Sequence, residues 1–250
     1  MSALLEVTGL SKHFGGLQAV KDVSFAIEPG EIVGILGPNG AGKTTLYNLL
    51  TGFIPFDSGS VVFKGRDLRG LAPYRIAGLG ISRTFQLCRP FVGMTVFENV
   101  IVGGLGASGG DPQLDAYARA LLEQVGLAGK EQFAVETLSY GDQRRLEIAR
   151  ALAAKPALLL LDEPFAGLGS GEIADLSALI RSVHAEQGLT VMLIEHKLHE
   201  FMRLVDRVIA LDFGEMIAAG TPEDIVRHPA VIEAYIGRGD AQAEEQAHAA

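Results

Sequence analysis

The sequence predicts an α/β fold with three parts: a parallel sheet covered on both faces, an N-terminal antiparallel β subdomain, and a helical subdomain over about residues 87–150. Three stretches predict it. "EIVGILGPNGAGKT" reads as a short apolar strand, a glycine loop and the start of a helix. "ALLLLDEP" is an uninterrupted apolar run closed by acids, the pattern of a strand buried on both faces. Between them, "QLDAYARALLEQVGL" places Leu114, Tyr117, Ala118, Leu121, Leu122 and Val125 at helical spacing.

Residues 4–37 read as strands separated by turns. "LLEVTGL" and the imperfectly alternating "VKDVSFAIE" come first, "EPGE" turns, and the strand 31–37 runs into the glycine loop. A helix follows over about 42–51. "SGSVVFKG" (58–65) and "ISRTFQ" (81–86) are further strands. "TVFENVIVGGLGASGGDP" reads as a short helix and then a glycine-rich loop. "LSYGDQRRLEIARALA" opens a helix at Ser139, whose hydroxyl suits the cap, with Asp142 at its positive end. After "ALLLL" come the helix "SGEIADLSALIRSVHAEQ", the strand "TVMLIE" and the amphipathic helix "HKLHEFMRLV". "DRVIALDFGEMIAAG" suits a hairpin turning at Phe213-Gly214. "TPEDIVRH" starts a helix with Thr221 as cap, Pro222 first and Asp224 third. The small, polar tail over 240–250 is expected to stay unpacked.

Composition narrows the function. The 250 residues are 48% hydrophobic and 20% charged, enough for a real core. The net charge of -9 argues against nucleic acid as a partner. The one basic pair, Arg144-Arg145, reads as a solvated helix face. A single cysteine, Cys88, excludes a disulfide framework and reads as inert packing. No run reaches the roughly 18 apolar residues of a membrane span. The N-terminus lacks the basic start and apolar segment of a signal peptide.

"GPNGAGKT" (Gly37, Pro38, Asn39, Gly40, Ala41, Gly42, Lys43, Thr44) fits the phosphate-loop spacing, in the strand–loop–helix setting that gives the spacing meaning. Gly40 and Gly42 let backbone N–H groups curl around a β-phosphate. Lys43 brings a cation to the β- and γ-phosphates, and Thr44 a hydroxyl to Mg²⁺, with Thr45 next to it. No Asn-Lys-x-Asp element for guanine is present. Adenine can be held by stacking, and Phe14 is a candidate platform, although an aromatic at a strand end usually belongs to the core. Asp162 and Glu163 sit at a strand's carboxyl end, where open α/β sheets bind ligands. Asp162 suits Mg²⁺, held through water, and Glu163 suits the proton of an attacking water. His196 closes the next strand.

These pieces, in this order, resemble the ATP-binding subunit of ABC transporters over about residues 4–237. The resemblance implies a phosphate-loop ATPase core using ATP and Mg²⁺. It makes Gln86 the glutamine that touches Mg²⁺ and the attacking water, Phe14 the adenine platform, and His196 the histidine at the γ-phosphate. "LSYGD" is similar to the family's Leu-Ser-Gly-Gly-Gln signature. Two cassettes of the family meet head to tail, so Ser139 and Gly141 would contact the partner's ATP rather than the chain's own.

Tyr140 and Asp142 depart from that signature, and Gly169 stands where Asp or Asn is common. A carboxylate at 142 near a triphosphate costs affinity unless a cation offsets it. A homodimer would carry these departures twice and a heterodimer once.

"GISRTFQLCRPFVGMTVFENV" and "GTPEDIVRHPAVIEAYIG" are similar to the ATPases of branched-chain amino acid importers. That likeness implies a second, non-identical ATPase subunit, two integral membrane permease subunits and, indirectly, an external solute-binding protein. It places the chain peripherally at the cytoplasmic face of the membrane, with segment 87–100 coupling to the permease. Related systems carry urea or other small solutes. A soluble ATPase of translation or DNA repair would show two cassettes or a long coiled coil, and neither is present.

Overall fold

The computed structural model describes residues 3–108 and 112–235; the tail expected over 240–250 lies outside them. Two sheets organise the chain. The first is antiparallel, ordered β2-β1-β4-β5, from β1 (Leu5–Phe14), β2 (Leu17–Ile27), β4 (Ser58–Phe63) and β5 (Arg66–Asp67). The second is six-stranded, ordered β10-β9-β3-β8-β7-β6, from β3 (Ile32–Leu36), β6 (Ile81–Arg83), β7 (Leu158–Asp162), β8 (Thr190–Ile194), β9 (Arg207–Asp212) and β10 (Glu215–Gly220). All of its pairs are parallel except the β9–β10 hairpin.

Every residue of β3, β7 and β8 is buried, which explains their uninterrupted apolar sequences. Alternation still divides them. Leu159, Leu161, Val191 and Leu193 join one core; Leu158, Leu160, Met192 and Ile194 join the other, on the opposite face. The first core lies beneath α5 (Tyr140–Ala153), α6 (Ser170–Gln187) and α7 (Leu198–Leu204); the second is shared with α1 (Lys43–Leu50) and the antiparallel sheet.

Local signals set several boundaries as expected. Phe213 and Gly214 turn the β9–β10 hairpin at φ 44° and 81°, the positive angles a two-residue turn needs. Thr221 caps α8 (Pro222–Val226) in a capping box with Asp224. Ser139 accepts the Asp142 amide at the start of α5.

Other expectations need correction. Helix α3 (Val96–Ser108) does not give way to a loop at its glycines. A Cβ at Gly103 would collide with the Arg150 carbonyl, and one at Gly104 with Leu114. These glycines let α3 lie against α5 and α4 (Leu114–Gln124), and that packing outweighs their poor helix propensity. Strand β6 stops at Arg83, three residues short of Gln86. Helix α2 (Pro73–Gly78), just ahead of β6, is not among the expected elements, although Pro73 at its first position is a helix-start signal.

Candidate functional site

The carboxyl ends of four adjacent strands, β3, β8, β7 and β6, deliver the site in one row. The glycine loop leaves β3 and enters α1 through Gly42, at φ 100°. A Cβ there would strike the Ala19 carbonyl, so only glycine fits. No side chain caps α1, which leaves the backbone amides at its start for an anion. The Lys43 ammonium folds back on the loop, donating to the carbonyls of Gly37 at 2.6 Å and Pro38 at 2.9 Å.

A cleft of about 420 Å³ opens over this loop. Asn39, Gly40, Ala41, Gly42, Lys43, Thr44 and Thr45 line it, together with Gln86, Glu163, His196 and Phe14. Leu17 and Phe213 also line it, two apolar walls that no sequence motif marked. Phe14 is half exposed and faces this space instead of the core.

Glu163 stands just past β7 with φ 51°, a conformation uncommon for a residue with a side chain and concentrated at functional sites. His196 Nε2 lies 3.0 Å from its Oε1, and the Gln86 amide donates to its Oε2 at 3.2 Å. Two residues, His196 just past β8 and Gln86 beyond β6, thus converge on the one carboxylate that follows β7.

Asp162 is not among the residues that line the cleft and is only 2% exposed. Its Oδ2 accepts from Arg83 Nη2 at 2.8 Å, and its amide donates to Thr84 Oγ1 at 3.2 Å. Arg83 also donates to Asn48 Oδ1 at 2.6 Å. Arg83 lies in "ISRTFQ", three residues before Gln86. For Mg²⁺ the donor set fits: a hydroxyl, a carboxylate and an amide oxygen are hard ligands, too few to bind the ion without phosphates and water. Among the described residues no cluster of three or more His, Cys, Asp or Glu offers a competing cage.

A second, separate pocket of about 270 Å³ is lined by Ser139, Gly141, Asp142, Arg145, Leu168 and Glu172, among others. Asp142 is not left alone there, for Lys130 Nζ meets its Oδ2 at 2.5 Å. The cation that would offset its charge is therefore built in. Gly169 caps α6, its amide donating to Glu172 at 3.0 Å. The Tyr140 ring lies against Gly167, in the loop after Glu163.

Arg144 corrects the reading of a solvated basic face. Its side chain is 2% exposed and paired with Glu147. It donates to the carbonyls of Phe85 at 3.3 Å and Gln86 at 2.7 Å, while Glu147 Oε1 accepts the Phe85 amide at 3.0 Å. Burial pushes the Glu147 carboxyl up, against the pull of this amide and of Arg144. The helix that starts at the second site thus grips the main chain at Gln86. Cys88 is half-buried, its Sγ 3.2 Å from the Gln143 carbonyl.

A glycine loop that opens beside a strand-end acid pair defines a phosphate-loop nucleotide hydrolase. Comparison with known proteins supplies the family. The ABC transporter family pattern matches residues 20–166, and that of the branched-chain amino acid ATP-binding cassette transporters matches residues 215–241. The chain is 41% identical to the high-affinity branched-chain amino acid transport ATP-binding protein BraF of Pseudomonas aeruginosa, over 94% of this chain and 98% of that one. It is 41% identical to LivG of Escherichia coli K12, over the same shares. An ABC transporter cassette solved in its ADP conformation, MJ1267, superposes with a TM-score of 0.86 at 31% identity, over 95% of this chain and all of that one. The chain belongs to the ABC transporter family and is an ATPase of its ATP-binding subunit type. Among the described residues no helix is long and apolar enough to cross a membrane.

Proposed function

We propose that this chain, a single cassette over 4–237 with a helical subdomain over about 87–150, powers an importer of branched-chain or other hydrophobic amino acids. The observation that carries the reading is the convergence of His196 and Gln86 on Glu163, at the edge of the phosphate-loop cleft. Cargo specificity is supported by the relatives' names, since the substrate would never touch this subunit.

In this reading ATP lies along the cleft, its adenine against Phe14 and its phosphates over the amides of 40–45. Lys43 leaves its loop carbonyls for the β- and γ-phosphates. Thr44, Gln86 and Asp162 would hold Mg²⁺, which would supply neutralisation of phosphate charge. Glu163 orients the attacking water and accepts its proton. His196 fixes the Glu163 carboxylate and donates toward the γ-phosphate. Ser139 and Gly141 serve the ATP of a second ATPase subunit. Gly169 and the family likeness favour a non-identical partner; Asp142, neutralised by Lys130, no longer does.

Two permease subunits would anchor the chain at the cytoplasmic face and report, indirectly, on an external solute-binding protein. Their dock is a groove of about 380 Å³ beside Gln86, lined by exposed Phe53, Tyr74, Phe85 and Leu87 together with Phe91 and Arg89. The test is leucine uptake into vesicles carrying the chain with its permease and partner subunits. Uptake should require ATP and vanish with Glu163→Gln. ATP-driven uptake of a polar solute such as urea, with none of leucine, would overturn the cargo.

A further inference from the structure

Strands β7 and β8 pair with Asp162 opposite Ile194, so the next residues, Glu163 and Glu195, leave the sheet side by side. They part at once. Glu163 turns toward the cleft, while Glu195 stays 2% exposed. Its Oε1 accepts the Phe165 amide at 2.5 Å; its Oε2 accepts the amides of His196 at 2.9 Å and Lys197 at 3.3 Å. Lys197 Nζ in turn donates to the Leu168 carbonyl at 2.8 Å. Residues 195 and 197 thus hold the loop 163–168 from both sides of His196.

A buried carboxylate is costly unless hydrogen-bonded. Burial raises the Glu195 pKa, and the three amides oppose that rise. What this charge accomplishes is alignment. It joins the loop that carries Glu163 to the one that carries His196. The far end of the first loop meets the second site, where Leu168 lines the pocket of Ser139 and Gly141 and Gly167 touches Tyr140.

We infer that Glu195 is a positioning residue for ATP hydrolysis: with Lys197 it sets loop 163–168 against His196, fixing the Glu163–His196 contact and tying it to the face that holds Ser139 and Gly141. The inference rests on the roles proposed above for Glu163 and His196.

The test compares variants of the full chain. Glu195→Gln keeps the size but offers one acceptor oxygen where two are used, so its NH₂ faces an N–H. Its kcat should fall about tenfold or more while KM for ATP changes by less than about twofold, since geometry is lost and binding is kept. Lys197→Met should lower kcat by a smaller factor, roughly threefold, again with KM unchanged. Combined with His196→Ala, Glu195→Gln should add little, because both act through one placement. Full additivity, or an unchanged kcat in Glu195→Gln, would overturn the inference. Glu163→Gln is assayed alongside. Turnover lost there but kept in Glu195→Gln removes only the positioning role; turnover kept in Glu163→Gln removes the reading of the site. If Glu195→Gln does not fold, amide exchange in the unaltered chain decides. Phe165 should be protected at least ~10²-fold, and exchange at the unfolded rate would overturn the inference.

Discussion

His196 Nε2 meets Glu163 Oε1 at 3.0 Å across a parallel strand pair, so the two side chains orient each other. Glu163→Gln should keep ATP binding and lower steady-state turnover by at least ~10²-fold, as expected when a positioned general base is removed. Binding by a fluorescent ATP analogue and phosphate release measure the two separately. Turnover close to that of the unaltered chain would exclude Glu163 as the base.

Arg83 and Asp162 form an ion pair with side chains only 6% and 3% exposed. Arg83→Met strands a buried carboxylate and should cost about 3–5 kcal/mol of stability. Adding Asp162→Asn should recover part of that loss. Calorimetry reads both, and a melting temperature unmoved by Arg83→Met would show that the pair contributes nothing.

Lys130 and Asp142 are partly exposed, so screening limits their attraction. Lys130→Met should still weaken ATP-driven association in a Glu163→Gln background, by about three- to tenfold. Asp142→Asn on top of it should restore most of the effect. Light scattering follows the association. No change on removing Lys130 would mean that the Asp142 charge never reaches the neighbouring triphosphate.

Leu87 is 64% exposed at the rim of the groove, whereas Phe91 is covered on one face by Arg150, 4.4 Å from its ring centre. A charge at 87 is therefore the cleaner probe. Leu87→Asp should abolish uptake and co-purification with the permease, yet leave the ATP affinity of the isolated chain within about twofold, since exposed sites rarely affect stability. Normal uptake by this variant would place the dock elsewhere.

Burial pushes the Cys88 thiol up to about 11. The folded chain therefore holds this proton more tightly than the unfolded one, and the stability it lends falls as pH rises from about 9 toward 11. At pH 8 iodoacetamide should modify Cys88 roughly a hundredfold more slowly in the native protein than in urea, in step with the thiolate fraction. Equal rates would show an open thiol.

What the sequence made legible was local. The phosphate loop, the Thr221 capping box and the Phe213-Gly214 turn each need only a few neighbouring residues, and each lies where the pattern put it. What it hid was separated along the chain. Arg83 and Asp162 are 79 residues apart, Arg144 and Gln86 58, and no periodicity links such pairs. Arg144 looked like surface because charge is usually solvated, and only the fold reveals the carbonyls it serves. The glycines of α3 looked like a loop because propensity ignores a helix lying against them.

The grip of Arg144 and Glu147 on the main chain at 85–86 has a mechanical meaning. Gln86 is not a free sensor on a slack tether. It is carried by α5 much as a pen is carried by a plotter arm, and the other end of that arm is Ser139. A displacement of α5 would be felt at the main chain of 85–86, which Arg144 and Glu147 hold. In the proposed reading the two ends lie at different nucleotides, so neither can be set without the other being moved.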